Sequence, residues 1–325
     1  MPPRHERVGA GEDGQRIDNF LIRRAPGVPK SHLYRLIRKG DVRVDGKRIK
    51  QTRRLREGEQ VRIPSLVVTE PSIARVPDKL ASELATSIVY ENDDFLVVAK
   101  PPGIAVHGGS GLAFGAIDAL RQVLDQPSLE LVHRLDRGTS GALLIARDNA
   151  QNRLLQDLFR QRRVTKRYQA LVAGRWPDHV EEVNAPLAKN VEHAGERRVV
   201  VDVAGQRALS RFAILERLAE ATIAEASWLD VTIETGRTHQ IRLHACHAGH
   251  AIVGDTRYGD NATNTAFRQK GLNRLFLHST HLGFEWCGQR IAIDVPTDAA
   301  WDRALDSLRA TSNPRATHEQ PMSSP

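Results

Sequence analysis

The chain has 325 residues, 40% apolar and 26% charged, a balance that supports a packed core, excludes wholesale disorder and, at about 150 residues per domain, predicts two domains. No apolar run approaches the roughly 18 residues of a membrane span, the first residues lack the apolar stretch of a secretory signal, and two cysteines are too few for a disulfide scaffold or a cysteine-rich zinc fold, so a soluble protein of the reducing cytoplasm, with no membrane partner, is expected. The net charge of +8 is carried by the front: residues 1–76 hold 18 Lys/Arg against 9 Asp/Glu, whereas the remainder holds 29 against 30, which predicts a polyanion-binding appendage on a nearly neutral body.

In chain order, residues 1–13 read as a flexible lead. Residues Arg16–Arg24 form a short helix with Ile17, Phe20 and Leu21 at helical spacing. Ser31 is the expected N-cap of a second helix, His32–Lys39, with Leu33, Leu36 and Ile37 inward and Gly40 as its stop. Strands follow at Asp41–Val44 and Lys47–Lys50, joined by an Asp45-Gly46 hairpin turn, and a further strand at Gln60–Ile63. The run from RIDNFL (Arg16) through SHLYRLIRKGDVRVDGKRI to GEQVRIP (Pro64) resembles the S4 RNA-binding domain, and places an S4-like domain at residues 14–76. That resemblance implies that the second helix and the following turn present cations to RNA phosphates. The matching positions are Lys30, Arg35, Arg38, Lys39, Arg43, Lys47 and Arg48. Cations act there by displacing condensed counterions, without reading sequence.

Residues 77–86, after Pro64, Pro71 and Pro77, read as a linker. The body, residues 87–308, opens with IVYENDDFLVVAKPPG as two strands around a polar turn. Further strands are expected at Ala142–Ala146, Val164–Ala173, Phe212–Leu215 and Ala226–Ile233. Asp148 should cap a helix reaching Arg163, with Leu154, Leu155, Leu158 and Phe159 on its apolar side. Residues 309–325 are polar and Pro/Ser-rich, the composition of a disordered tail.

The densest polar constellation is HRLDRGTSG, His133–Gly141, between the apolar pair Leu131-Val132 and the strand Ala142–Ala146. Small and polar residues permit a sharp turn anchored by a buried strand. A carboxylate between two arginines is held in its charged form, and a charged aspartate serves as nucleophile or base. An Arg-Asp-Arg run is also an ordinary structural ion pair, so charge alone leaves both readings open.

HRLDRGTSG together with the upstream KPPG (Lys100–Gly103) resembles the signature of the RluA-type pseudouridine synthases. KRYQALVAG (Lys166–Gly174), GRTHQIRLH (Gly236–His244) and GDTRYG (Gly254–Gly259) agree with it in order. The resemblance implies an α+β chain: the S4-like module, then a mixed, mainly antiparallel bent sheet flanked by helices. It implies that uridine in RNA loses its N1–C1′ bond, turns, and is rejoined through C5, with no cofactor and no metal. NAPLAKN, GERRVVV and GLNRLFLH look closest to members acting on large-subunit (23S) ribosomal RNA, free or in the precursor particle. A monomer is expected.

By the same resemblance, Asp136 is the catalytic carboxylate. It can attack C1′, attack the pyrimidine ring or remove a ribose proton, and all three routes stay open. Tyr168 matches the active-site tyrosine, able to stack on uracil and relay a proton. Arg242 matches the arginine paired with the aspartate. The target base must leave its stack, and Arg134 matches the arginine that fills the vacancy or holds a phosphate, beside Arg137. Gly138 departs from an acidic residue common in relatives, which should alter local loop charge or flexibility. His133 is expected to order the loop.

His239, His244, Cys246, His247 and His250 crowd one segment. Helical spacing spreads them over two sides, and no zinc site is expected. Three rivals remain: a synthase for other large-subunit sites or transfer RNA, a non-catalytic ribosome-assembly factor, and a nucleosidase or glycosidase. The last ordinarily needs a second carboxyl group.

Overall fold

The computed structural model describes all residues except 1, 26–27, 29, 67–75, 109–111, 194–195, 219–223 and 313–325. It divides into two units, with the boundary between Pro77 and Asp78.

The first unit contains β1 (Arg4–Arg7), α1 (Ile17–Arg24), α2 (Lys30–Lys39), β2 (Arg43–Val44), β3 (Lys47–Arg48) and β4 (Gln60–Ile63). Its antiparallel sheet has the order β1-β4-β2-β3. Ile17, Phe20 and Leu21 of α1 and Leu33 and Ile37 of α2 pack with Val44, Leu55, Val61 and Ile63 in one core. The lead expected to be flexible is therefore part of the fold. Arg4–Arg7 pairs along β4, Arg4 opposite Ile63 and Arg7 opposite Gln60. Its sequence RHER has no apolar periodicity to reveal a strand, because what holds it is the backbone ladder and the Arg24 guanidinium bridging Glu6 and Glu12. Ser31 lies inside α2 rather than at its N-cap, the helix beginning one residue earlier, at Lys30. At the other end Gly40 (φ +82°) closes a Schellman motif. Its N–H donates to Ile37 O at 3.1 Å and that of Asp41 to Leu36 O at 3.0 Å. A Cβ on Gly40 would stand 2.2 Å from Nε of the exposed Arg48, a side chain that can move aside, so it is the positive φ that calls for glycine.

The second unit begins with α3 (Asp78–Thr86) where a linker was expected. Ala81 and Leu84, three residues apart, are buried, and that short apolar stripe makes the segment a packed helix despite the prolines upstream. β5 (Ile88–Glu91), β6 (Phe95–Lys100), α4 (Ala116–Val123), β7 (Glu130–Leu131), β8 (Ser140–Ala146), α5 (Asn149–Arg160) and β9 (Thr165–Ala173) follow. The Asp148 carboxylate caps α5 by accepting from Ala150 N and Gln151 N. Next come β10 (Glu182–Asn184), β11 (Leu187–His193), β12 (Glu196–Val201), β13 (Leu209–Leu218), β14 (Ala226–Ile233), α6 (Gln240–His247), α7 (Asn261–Gln269), β15 (Leu277–Trp286), β16 (Gln289–Asp294) and α8 (Ala299–Ser312).

The large sheet has the order β10-β13-β14-β9-β15-β8-β6-β5, with β16 added to β15 and β7 to β8. This is the α+β, mixed and mainly antiparallel architecture that the resemblance implied. Its parallel pair, β8 with β15, has only two residue pairs, Ser140–His278 and Gly141–Ser279. Beyond them the strands part, β15 pairing with β16 and β8 with β7. Gly141 (φ +103°) sits in this fork, where a Cβ would stand 2.1 Å from Ser279 O. The polar HRLDRGTSG loop enters the sheet there.

Apolar clusters lie under both halves: Phe95, Leu144, Leu155 and Leu282 in one, Leu171, Phe267, Phe276 and Trp301 in the other. β11 and β12 form a separate hairpin whose Leu187 and Val199 pack with Ala208 and with Leu243 of α6. Helix α8 carries three residues past 309, where a tail was expected, because Trp301, Ala304, Leu305 and Leu308 keep one face buried; residues 313–325 of that tail lie outside the described residues. Among the described residues no helix is long and apolar enough to cross a membrane.

Candidate active site

Asp136 stands on the loop that leads into β8, and two loops hold it there. Gly103 N donates to Arg137 O and Arg137 Nε donates back to Gly103 O, each at 2.8 Å. Lys100, 1% exposed, donates from Nζ to Pro101 O and Ile104 O at 2.8 Å and to Arg137 O at 3.4 Å. The KPPG and HRLDRG segments are thus stapled together. His133 completes the loop's footing by accepting from Leu144 N at 3.0 Å and stacking on Phe159 at 5.0 Å. Burial pushes its pKa down to about 4, so it is a neutral acceptor. Gly138 packs against Leu275, where a Cβ would meet Leu275 Cβ at 3.1 Å, so the missing acidic side chain is matched by close packing.

Burial pushes the Lys100 ammonium down to about 7 from 10.5, with the Asp136 charge offsetting part of the fall. A lysine pKa lowered by folding opposes stability in full below the folded value and ceases to do so above the unfolded one. The unfolding free energy of the wild type should therefore rise relative to Lys100→Met between pH 7 and pH ~10. Melting curves at a series of pH values check this, and a difference independent of pH would contradict it.

The cation facing Asp136 comes from far along the chain. Arg242 Nη1 donates to Asp136 Oδ2 at 3.2 Å, whereas Arg137 is engaged with Gly103 and the exposed Arg134 lines the cavity beside the carboxylate. The flanking arginines are therefore not the ion-pair partners that their adjacency suggested; the loop's turn directs them elsewhere. Arg242 is in turn gripped by Asp255 of GDTRYG, Nε to Oδ2 at 2.7 Å and Nη2 to Oδ1 at 2.8 Å. The Asp255 side chain is fully buried and also accepts from Arg257 N and Tyr258 N at 2.9 and 3.1 Å. Burial alone would push the Asp255 carboxyl up; Arg242 and those N–H groups hold it below the usual carboxylate range. Burial likewise disfavours the Arg242 charge, and the two carboxylates more than reverse it. The guanidinium lies 5.1 Å over the Tyr258 ring.

Helix α6 positions Arg242 through a fully satisfied glutamine. Gln240 accepts from Thr235 Oγ1 at 2.7 Å and Arg237 N at 3.0 Å, and donates to Leu209 O at 2.9 Å and Ser210 Oγ at 3.0 Å. His244 is buried between Ser210 Oγ at 2.9 Å and Ala185 O at 3.0 Å. His250 contacts Ala173 O through Nδ1 at 2.9 Å, and Cys246 Sγ donates to Tyr258 O at 3.3 Å. His244 and His250 are thus engaged with the protein's own polar atoms.

Asp136, Arg242 and Tyr168 line one cavity of about 160 Å³, with Leu135, Ile233 and Leu277 as apolar wall. Tyr168 of β9 faces Ser279 of β15 in register. Burial pushes its hydroxyl up to about 12, Ser279 offsetting part of the rise and Asp136 adding to it. Tyr168 is therefore a protonated donor at neutral pH. His239, Tyr258, Asp255, Gln240 and Lys100 were missed as site residues although each lies in or beside a recognised motif. The signal was there for Asp255, an acid inside the glycine-rich GDTRYG.

In the first unit, Arg35, Arg38, Lys39, Lys47 and Arg48 are exposed and Arg43 is half-buried. Arg38 and Arg48 share a groove with Lys50. Arg43 and Arg48 also serve the fold, Arg43 Nε donating to Gly40 O at 3.1 Å and Arg48 Nη2 to Lys39 O at 2.6 Å. The side chain of Lys30 lies outside the described residues.

Residues 94–247 match the family model described as RNA pseudouridylate synthase, and residues 15–61 match the S4 domain. Ribosomal large subunit pseudouridine synthase C of Haemophilus ducreyi is 47% identical over 308 residues, covering 93% of this chain and 95% of that protein. Its namesake from Escherichia coli K12 is 47% identical over 309 residues with the same coverage. Among solved structures, human RNA pseudouridylate synthase domain containing 4 aligns with a TM-score of 0.59 at 23% identity, over 71% of this chain and 96% of its own. Human RNA pseudouridylate synthase domain containing 1 aligns with a TM-score of 0.55 at 27% identity, over 69% and 94%.

Proposed function

Since the chain belongs to the RNA pseudouridylate synthase family and carries an S4 RNA-binding domain, we propose that this isomerase converts uridines of large-subunit (23S) ribosomal RNA to pseudouridine, with Asp136 as its catalytic carboxylate. The observation that carries the assignment of Asp136 is its setting: one carboxylate in a small cavity, bonded to a guanidinium that is itself immobilised, opposite a protonated tyrosine. The extent of identity to the large-subunit synthases supports the substrate.

Asp136 supplies the negative oxygen that engages the extruded nucleotide. Arg242 orients it, and Tyr168 offers a ring to the base and a hydroxyl as donor. Arg134, exposed at the cavity, is suited to the space that the base vacates. A ribosomal substrate supports a cytoplasmic location for the protein. The test is pseudouridine mapping of ribosomal RNA from cells with and without the protein, repeated on 23S transcripts with purified protein. Specific 23S sites should lose the modification in its absence and regain it in vitro. Unchanged 23S maps would overturn the substrate, and loss at transfer RNA sites would redirect it.

The S4 cations should act by counterion release. Replacing Arg38, Lys39 and Lys47 together by alanine should make the slope of log affinity against log salt shallower by about 2. Equal slopes would remove these residues from the RNA contact.

A further inference from the structure

Helices α2, α4, α6 and α7 each give way to one residue in the left-handed region: Gly40, Asp125, Gly249 and Gly271. Glycine takes up this conformation without strain, and aspartate tolerates it. After α5 the same place is held by Arg162, at φ 58°. The helix stop there is complete, Arg162 N donating to Phe159 O at 3.2 Å and Arg163 N to Leu158 O at 2.9 Å. Glycine would close this turn as well and without the strain. A cation is favoured near a helix C-terminus, but Arg160 and Arg163 already provide one. A strained residue kept where the fold does not need it points to a use for its side chain.

The surroundings of Arg162 are positive. Arg162 and Arg163 are exposed, whereas Lys166 is 5% exposed. Lys166 shares a face of β9 with Tyr168, two residues and about 7 Å along the strand. Its Nζ lies 5.9 Å from the centre of the Phe159 ring. The same ring stacks on His133, the residue before Arg134. The end of α5 is thus tied both to the strand that carries Tyr168 and to the loop that carries Asp136. Burial pushes the Lys166 ammonium down, and the Arg162 charge pushes it further. Arg160 is paired with Asp157, but among the described residues no carboxylate pairs with Arg162 or Lys166.

Resting on the reading of the activity above, we propose that Arg162 and Arg163, backed by Lys166, form a phosphate-binding corner of the catalytic unit, which grips the RNA backbone beside the extruded nucleotide. A phosphodiester is the anion that this cluster lacks. The corner gives the nearly neutral body a hold on RNA of its own, separate from the S4 cations, and the left-handed turn is what presents the Arg162 guanidinium at the surface.

The test is Arg162→Gly in the full chain, an exchange that suits the turn and removes the cation. Affinity for a 23S transcript should fall by about 3–10-fold, and the slope of log affinity against log salt should become shallower by about 1. The loss in kcat/KM should appear in KM. The melting temperature should hold or rise by about 2 °C, because strain is released. Arg162→Lys should keep most of the wild-type affinity, and adding Arg163→Ala to Arg162→Gly should roughly double the change in slope. Unchanged affinity and slope overturn the proposal. So does a loss of affinity that follows a fall in melting temperature, which makes Arg162 a structural cap. Binding is read directly, so these outcomes hold whether or not the transcript is modified. A wild-type protein that binds the transcript yet forms no pseudouridine on any ribosomal RNA would overturn the reading of the activity instead.

Discussion

Asp136→Asn is expected to cut the rate of pseudouridine formation by on the order of 10⁴–10⁶-fold, the scale on which removal of a reacting side chain is felt. The amide is nearly isosteric and can still accept from Arg242 Nη1, so the cavity keeps its shape. The side chain is partly exposed and is not the main partner of Arg242, which has two bonds to Asp255 against one to Asp136. Stability should accordingly move by less than ~1 kcal/mol. Carbodiimide-adduct mapping of pseudouridine measures the first quantity and thermal melting the second. A variant retaining wild-type turnover would end the assignment of this carboxylate, and a collapse in melting temperature would make its role structural.

Asp255→Ala should be the most damaging change away from the reacting atoms. It removes the buried main partner of a guanidinium, which keeps only its single bond to Asp136, and leaves two backbone N–H groups without their acceptor. Breaking a buried pair from one side costs roughly 3–5 kcal/mol, so the melting temperature should fall steeply. Where the variant is folded at low temperature, kcat should drop by about 10²-fold, the penalty of a misplaced group, with KM little altered because no binding contact is lost. Asp255→Asn should lie between the two proteins. Denaturant unfolding and steady-state kinetics on one transcript separate these effects. A fall in KM alone, or no loss of stability, would show that Arg242 finds its position without Asp255.

The parts of the chain legible in advance were those with local rules. Gly40, Asp45-Gly46 and Asp148 announce a helix stop, a hairpin and a helix start by residue type, and each occurs at that place. β14 and β4 alternate cleanly and were read to the residue. β1 escaped because RHER has no apolar face, and α3 because neighbouring prolines outweighed a two-residue stripe. The site divides in the same way. Motif identity pointed to Asp136 and Arg242, but the grip of Asp255 on Arg242 spans thirteen residues of sequence and the β8–β15 fork spans more than a hundred. Such pairings exist only after folding. Local charge even misled, since the arginines adjoining Asp136 are not its partners.

One detail of that grip bears on turnover. In the role proposed for Asp136, whichever atom it engages, its negative charge is spent and restored once in every cycle. A largely buried cation that depended on it alone would lose its counter-charge midway through the reaction. Because Arg242 keeps a second, permanent anion behind it, the pocket's electrical balance survives the interval, and the enzyme can let go of its reactive group without loosening the frame that holds it.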